Sequence, residues 1–302
     1  MGEVMRKLDN WAFGWGSPYT LGVYRALIGG LALICLLMLS LDFNTWYTES
    51  GLATARDAEY WAGQLWHLNV LQGVTSTPVT AGVFGLTMLA ALCTMLGLWT
   101  RVATIALAVG MISLHHRNPF ILNGGDTLLR MSLITLALSP CGAAFSVDRL
   151  LRQRRGQPVL DQVSLWPQRL VQVQMTLVYG TTVWHKLNGV HWSDGTAAWY
   201  PGQLLEFHRF PTPRFVDLPP FVQIATWGTL VVELALAYAV YWRPARRWIL
   251  LGGLALHAVI EYRFNIPLFA FISVAQYLAH YDGEEVRTWM ENRRSRIATT
   301  PA

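Results

Sequence analysis

Lysine is the rare cation of this 302-residue chain: 21 arginines stand against two lysines, Lys7 and Lys186. Arginine cannot be deprotonated at physiological pH, whereas a desolvated lysine can. Lys186 closes the run Tyr179-Gly180-Thr181-Thr182-Val183-Trp184-His185-Lys186. It therefore reads either as a general base or as an anchor whose stem lies in lipid while its amine reaches water. A second group gathers Arg117, Asn118, Asn123, Gly124, Gly125 and Asp126. Asp126 and Arg130 are four apart and can pair on one helix face, which would be a structural salt bridge. The other reading is a polar lining for a substrate headgroup. Glu233 lies in mid-run, where an ionisable group is costly and a functional candidate by default. Arg25 or Arg130 would serve as a partner and make it structural. His257 and Glu261, also four apart, have the spacing to begin a metal site, but no HExxH, paired-cysteine or EF-hand pattern accompanies them and no metal is assigned. His115 and His116 are adjacent and cannot share one helix face.

These side chains sit in a membrane protein. Hydrophobic residues make up 53%, charged residues 14%, and the mean hydropathy is +0.32. A soluble domain carries about 25% charged residues, so there are too few charges to coat a soluble surface. Eight apolar segments read as helices: 19–41, 78–99, 102–116, 127–140, 167–185, 220–242, 248–262 and 266–281. The third, fourth, seventh and eighth are shorter than the usual span of about 20 residues. Alternating the eight from an inside N-terminus puts 15 of the 23 basic residues inside and six outside, with Arg25 and Arg130 within spans. That bias follows the positive-inside rule and places both termini in the cytoplasm. The net charge of +5 is thus topological and implies no nucleic acid. Residues 1–18 lack the apolar region of a signal peptide and read as an interfacial segment, with Trp11, Phe13 and Trp15 at headgroup level. Residues 282–302 form a basic cytoplasmic tail. Cys35, Cys93 and Cys141 form no CxxC pair, which argues against a disulfide framework.

Polar groups concentrate at the outer ends of the spans: His67, His115, His116, His185, His191 and His208, with Asn118, Asn123, Asp126, Asp194, Glu206, Glu261 and Asn265. An active site is therefore expected to face outside. Two outer loops are long. Residues 42–77 carry Trp46, Tyr47, Tyr60, Trp61 and Trp66, and their middle is expected to form an amphipathic helix. Residues 186–219 carry Trp192, Trp199 and Tyr200 with Pro211, Pro213 and Pro219. Arg117-Asn118-Pro119 after the third span is echoed by Arg263-Phe264-Asn265-Ile266-Pro267 after the seventh. Two parallel four-helix halves would explain this echo, as would the frequency of Asn-Pro in turns.

The pattern Tyr179-x6-Lys186-x2-Gly189-x2-Trp192-x2-Gly195-Thr196-Ala197 resembles the signature of the HTTM family, whose best-known member is the vitamin K-dependent gamma-glutamyl carboxylase. The stretch from Arg117-Asn118-Pro119 to Asn123-Gly124-Gly125-Asp126 resembles a second family signature. The likeness runs over essentially the whole chain. It implies an all-α polytopic membrane helical bundle of about eight transmembrane helices, one integral membrane domain over 1–302. It implies that Lys186 deprotonates a reduced vitamin K or menaquinone-type quinol. Reaction with O2 then supplies a strong base, which removes a proton from the substrate, and CO2 adds to the carbanion. His115, His116, Arg117, Asn118, Asn123 and Asp126 would line the site, with His185, His191, Trp192, Glu233, His257 and Glu261. Water exclusion within an apolar bundle would protect a strong base.

Two departures from the carboxylase matter. The animal enzyme carries a large lumenal domain after its helices that recognises a propeptide, and this chain stops about 20 residues after its eighth span. His185 stands where that enzyme has a second lysine. The chain also resembles the bacterial sporulation-delaying-protein B group, which works with a separate partner in maturing a secreted toxin peptide. Two functions follow: a quinol- and O2-dependent carboxylase-like enzyme acting at the outer face of a bacterial-type plasma membrane, or a maturation factor for a secreted peptide. The partners expected are the lipid bilayer, a quinone, and a secreted peptide or soluble extracytoplasmic protein. A transporter is a distant third reading, because one-sided polar clustering does not suggest alternating access.

Overall fold

The computed structural model describes residues 2–62 and 68–299; Trp66 and His67 lie outside them. Fourteen α-helices are present among the described residues: α1 (Gly2–Phe13), α2 (Tyr19–Ser40), α3 (Phe43–Tyr47), α4 (Ala55–Ala62), α5 (Thr77–Leu96), α6 (Thr100–Arg117), α7 (Gly124–Leu138), α8 (Val147–Arg154), α9 (Trp166–Leu187), α10 (Val190–Ser193), α11 (Pro219–Ala237), α12 (Arg243–Arg263), α13 (Phe269–Ala275) and α14 (Gly283–Thr299). All eight apolar segments are helical, the sixth and eighth ending in 3-10 turns at Ala239–Tyr241 and Gln276–His280. Three helices, α2, α5 and α11, are long and apolar enough to cross a membrane. The chain divides into two compact units, 1–169 with 281–302, and 170–280. The division falls near the start of the fifth segment, where two sequence halves would part.

In the first unit α2 presents Leu21, Arg25, Ile28, Ala32 and Leu36 on one face, all buried, at the spacing of three or four that a helix requires. Leu107, Met111 and Leu114 of α6 and Leu129, Leu133 and Leu136 of α7 are likewise buried. Without a hydrophobic drive between helices in lipid, close backbone approach is the main source of attraction. Gly29 supplies it between α2 and α5, since an added Cβ would lie 2.7 Å from the Met95 backbone nitrogen. Gly29→Ala is therefore expected to lower thermal stability in detergent by about 1–3 kcal/mol. Gly82→Ala should leave it unchanged, because a Cβ there meets nothing within 4 Å. Some polar residues inside these helices spend their hydroxyls on their own backbone, as Thr87 does on Val83 O and Thr104 on Thr100 O, while Tyr24 of α2 donates to the Ser132 hydroxyl of α7 at 2.8 Å. Helix ends are capped by side chains. Asp148 accepts from the Trp99 and Thr100 backbone N–H groups at the start of α6. Asn123 and Asp126 form a capping box at the start of α7.

Two short strands, β1 (Trp15–Gly16) and β2 (Val163–Ser164), pair antiparallel and join the chain after α1 to the segment before α9. Helix α1 buries no residue. Val4, Met5, Leu8 and Trp11 lie exposed along it, the arrangement of a helix that rests on a bilayer. In the second unit Met175 and Tyr179 of α9 pack with Leu236 and Ala237 of α11, Leu250 of α12 and Tyr277. Gly253 allows Tyr277 to approach α12, because a Cβ would lie 2.4 Å from the phenol oxygen.

Candidate functional site

Tyr179, Val183 and Lys186 follow one another at intervals of four and three, so they share a face of α9. The chain leaves that helix through a tight turn: Gly189 N–H donates to Lys186 O at 2.9 Å and Trp192 N–H to Gly189 O at 3.0 Å. The turn lays Trp192 beside the lysine, whose Nζ is 4.7 Å from the ring centroid, within cation–π range. Lys186 Nζ donates to Glu233 Oε1 at 2.5 Å, and the two side chains are 18% and 9% exposed. The amine thus turns to a buried carboxylate. The partner expected for Glu233 is corrected. Arg25 and Arg130 belong to the first unit, and Lys186 is the cation that meets Glu233. Sequence spacing could not show this, since 47 residues separate the pair.

Two turns back on the same face, Tyr179 Oη lies 2.8 Å from His257 Nε2 and 3.2 Å from Tyr277 Oη. Glu233 stands three and four residues before Leu236 and Ala237, which pack with Tyr179 and Tyr277. Glu233 Oε2 and His257 Nδ1 are buried and have no protein partner. A buried polar atom left unpaired costs about 1–3 kcal/mol, so each is suited to a polar ligand group. Tyr277 was not among the expected site residues. It enters from a short, irregular helical end that no periodicity marks.

His257 and Glu261 do not form a ligand pair. His257 is engaged with Tyr179, while Glu261 accepts from Arg209. Among the described residues no group of three His, Cys, Asp or Glu side chains is arranged to hold a metal ion. His185 is exposed beside Lys186. His191, also exposed, has Nδ1 3.7 Å from Asp194 Oδ2 and its ring 4.2 Å from that of Tyr200. The Thr196 hydroxyl, donating to Asp194 at 2.6 Å, holds that carboxyl below its ordinary range, and the neighbouring His191 adds to the effect.

The first-unit candidates gather at the end of α6 and the start of α7. Asp126 Oδ2 accepts from the Asn123 N–H at 2.7 Å, and Oδ1 lies 3.8 Å from His115 Nε2. Arg130 donates to Thr127 at 3.5 Å, so the expected Asp126–Arg130 bridge is replaced by a helix cap. His115 is buried and His116 half-buried. Arg117, 1% exposed, donates to Ala53 O and to Glu49 Oε1, each at 2.8 Å. Asn118 Nδ2 donates to Trp46 O at 2.9 Å. Arg117 and Asn118 together hold the 42–55 segment against the end of α6. Glu49 escaped the sequence reading because it lies alone in a loop.

The sequence echo has a structural counterpart. Arg263, at the end of α12, donates to Asp217 Oδ1 at 3.1 Å. Asn265 N–H donates to Phe207 O at 2.6 Å. In each unit an arginine closing a helix and an asparagine just after it hold a preceding long loop.

The model of the HTTM domain matches residues 17–283, nine-tenths of the chain. The uncharacterized protein YitO of Bacillus subtilis (strain 168) is 28% identical over 109 residues, 34% of this chain and 35% of the relative. The matched stretch thus spans about a third of that relative. No solved structure matches.

Proposed function

Because this chain belongs to the HTTM family, we propose that it is a membrane-embedded, vitamin K-dependent carboxylase-like enzyme, with eight spans, cytoplasmic termini and a site at the outer face. The observation that carries this reading is the buried Lys186–Glu233 pair under Trp192, in line with Tyr179 and its hydrogen-bonded neighbours His257 and Tyr277. The residues fit a quinol, because Glu233 Oε2 and His257 Nδ1 are buried polar atoms still open to a hydroxyl-bearing ligand. Bound quinol would supply, with O2, the strong base that abstracts a proton from a peptide or small substrate, to which CO2 adds.

The chain's own part is proton handling and exclusion of water. For Nζ of Lys186 to accept a proton it must first release one, and Glu233 Oε1 at 2.5 Å is the acceptor in reach. Trp192 covers the amine on its other side and limits access of water. Tyr179, fixed between His257 and Tyr277, floors the group. These residues all belong to the second unit.

Quinol-dependent O2 uptake tests the proposal. Protein in lipid nanodiscs is given reduced menaquinone or vitamin K, and O2 is followed with an electrode. Uptake above that of empty nanodiscs is expected. Its absence from folded wild-type protein, with both quinols, would overturn the enzymatic reading. A second reading is favoured by the same ion pair, which satisfies both charges without a substrate: a partner-dependent maturation factor for a secreted peptide, in which Lys186 only locks α9 to α11.

A further inference from the structure

A cavity of about 470 Å³ opens in the first unit, lined by none of the site residues above. Tyr19, the first residue of α2, and Leu96, the last of α5, both border it. Both helices are long and apolar enough to cross a membrane, and they run antiparallel past the close contact at Gly29. The cavity therefore lies beside the start of one helix of spanning length and the end of another. Its wall divides by chemistry. Met95, Leu96, Leu150 and Met290 are apolar, and Arg149 and Arg287 supply the cations.

The arginines keep donors to spare. Arg287 Nε donates to Glu291, at 3.0 Å, and its Nη1 is 3.9 Å from Glu284, but these carboxylates are 60% and 67% exposed. Arg149 Nη2 donates to Asp161, which is 79% exposed. Exposed pairs of this kind are weak and are readily exchanged for another anion. Of these three carboxylates only Glu291 lines the cavity. Behind the wall lies Arg25, fully buried. Its Nη2 donates to Gly22 O and to Phe145 O, while Nε and Nη1 have no partner. It packs against Ser146, a lining residue, across Gly97. Among the described residues no carboxylate stands within ion-pair distance of Arg25. Asp148 acts on it electrostatically from farther off; a buried cation is still costly, and an anion in the adjoining cavity would offset part of that cost.

We propose that this cavity binds an anionic phospholipid, with its phosphate toward Arg149 and Arg287 and the first acyl carbons against the four apolar residues. The apolar wall distinguishes a lipid from free phosphate, which would gain nothing there.

The test is native mass spectrometry of the protein released from neutral detergent containing equal amounts of phosphatidylglycerol and phosphatidylcholine. Preferential retention of phosphatidylglycerol is expected. Arg287→Gln should reduce it about fivefold, the effect of one basic residue near an anionic surface. Arg149→Gln should act in the same direction, but Arg149 also donates to Ala143 O and Leu160 O, and its loss can disturb the fold. Arg287, 48% exposed, avoids that ambiguity. Equal retention of the two lipids, unchanged retention in Arg287→Gln, or displacement of the lipid by millimolar inorganic phosphate would each overturn the proposal.

Discussion

Lys186→Arg is expected to abolish quinol-dependent O2 uptake while leaving the protein folded. Arginine keeps the positive charge and can still meet Glu233, but it does not give up its proton. The substitution thus separates a base from an ion-pair anchor. A positioned general base contributes about 10²–10⁴-fold, so uptake should fall by at least two orders of magnitude. The control is thermal unfolding in detergent, which should move little because the pair is retained. Glu233→Gln complements it: the amide still accepts a hydrogen bond from Nζ but takes up no proton, so activity should fall here too. Breaking a buried pair by removing one charge costs about 3–5 kcal/mol. A marked drop in unfolding temperature should therefore accompany Glu233→Gln and not Lys186→Arg. Wild-type uptake by a folded Lys186→Arg protein would show that Lys186 is not the base and leave it as a lock between two helices.

Arg117→Ala is expected to release the segment 42–55 without touching quinol chemistry. The guanidinium is buried, and it donates to both Ala53 O and Glu49. Glu49 also accepts from the Ala55 N–H at 2.9 Å, at the start of α4. Removing Arg117 leaves a buried carbonyl unpaired and one anchor of the loop gone. The cost is about 3 kcal/mol, the scale for loss of a buried hydrogen-bonded charge. Limited proteolysis reads the result directly, through new cleavage between residues 42 and 55 in Arg117→Ala and protection in wild type. Arg263→Ala should do the same for the loop before α11 through loss of its bond to Asp217. If neither variant becomes sensitive, the arginines are not what holds these loops. Loss of O2 uptake in an Arg117→Ala protein whose loop stays protected would return Arg117 to the substrate site.

Much of this molecule was legible in the residues alone. Apolar runs of helical length marked every principal helix, because burying backbone polar groups away from water leaves a helix as their simplest satisfied state. The scarcity of lysine singled out Lys186, and its seven-residue interval from Tyr179 put both on one face, since 3.6 residues make a turn. The asparagine–glycine start of α7 was visible as a turn. The echo between Arg117 and Arg263 was open to two readings, a pair of parallel halves or the frequency of Asn-Pro in turns. What the residues did not disclose was which side chain each charge would meet. Glu233 found Lys186, Asp126 capped its own helix in place of pairing with Arg130, and His257 and Glu261 turned to different partners. Periodicity defines a face within one helix, but not the rotation and depth at which that face meets another helix. Those depend on small-residue contacts such as Gly29 on Met95 and Gly253 on Tyr277, which only the packed chain decides.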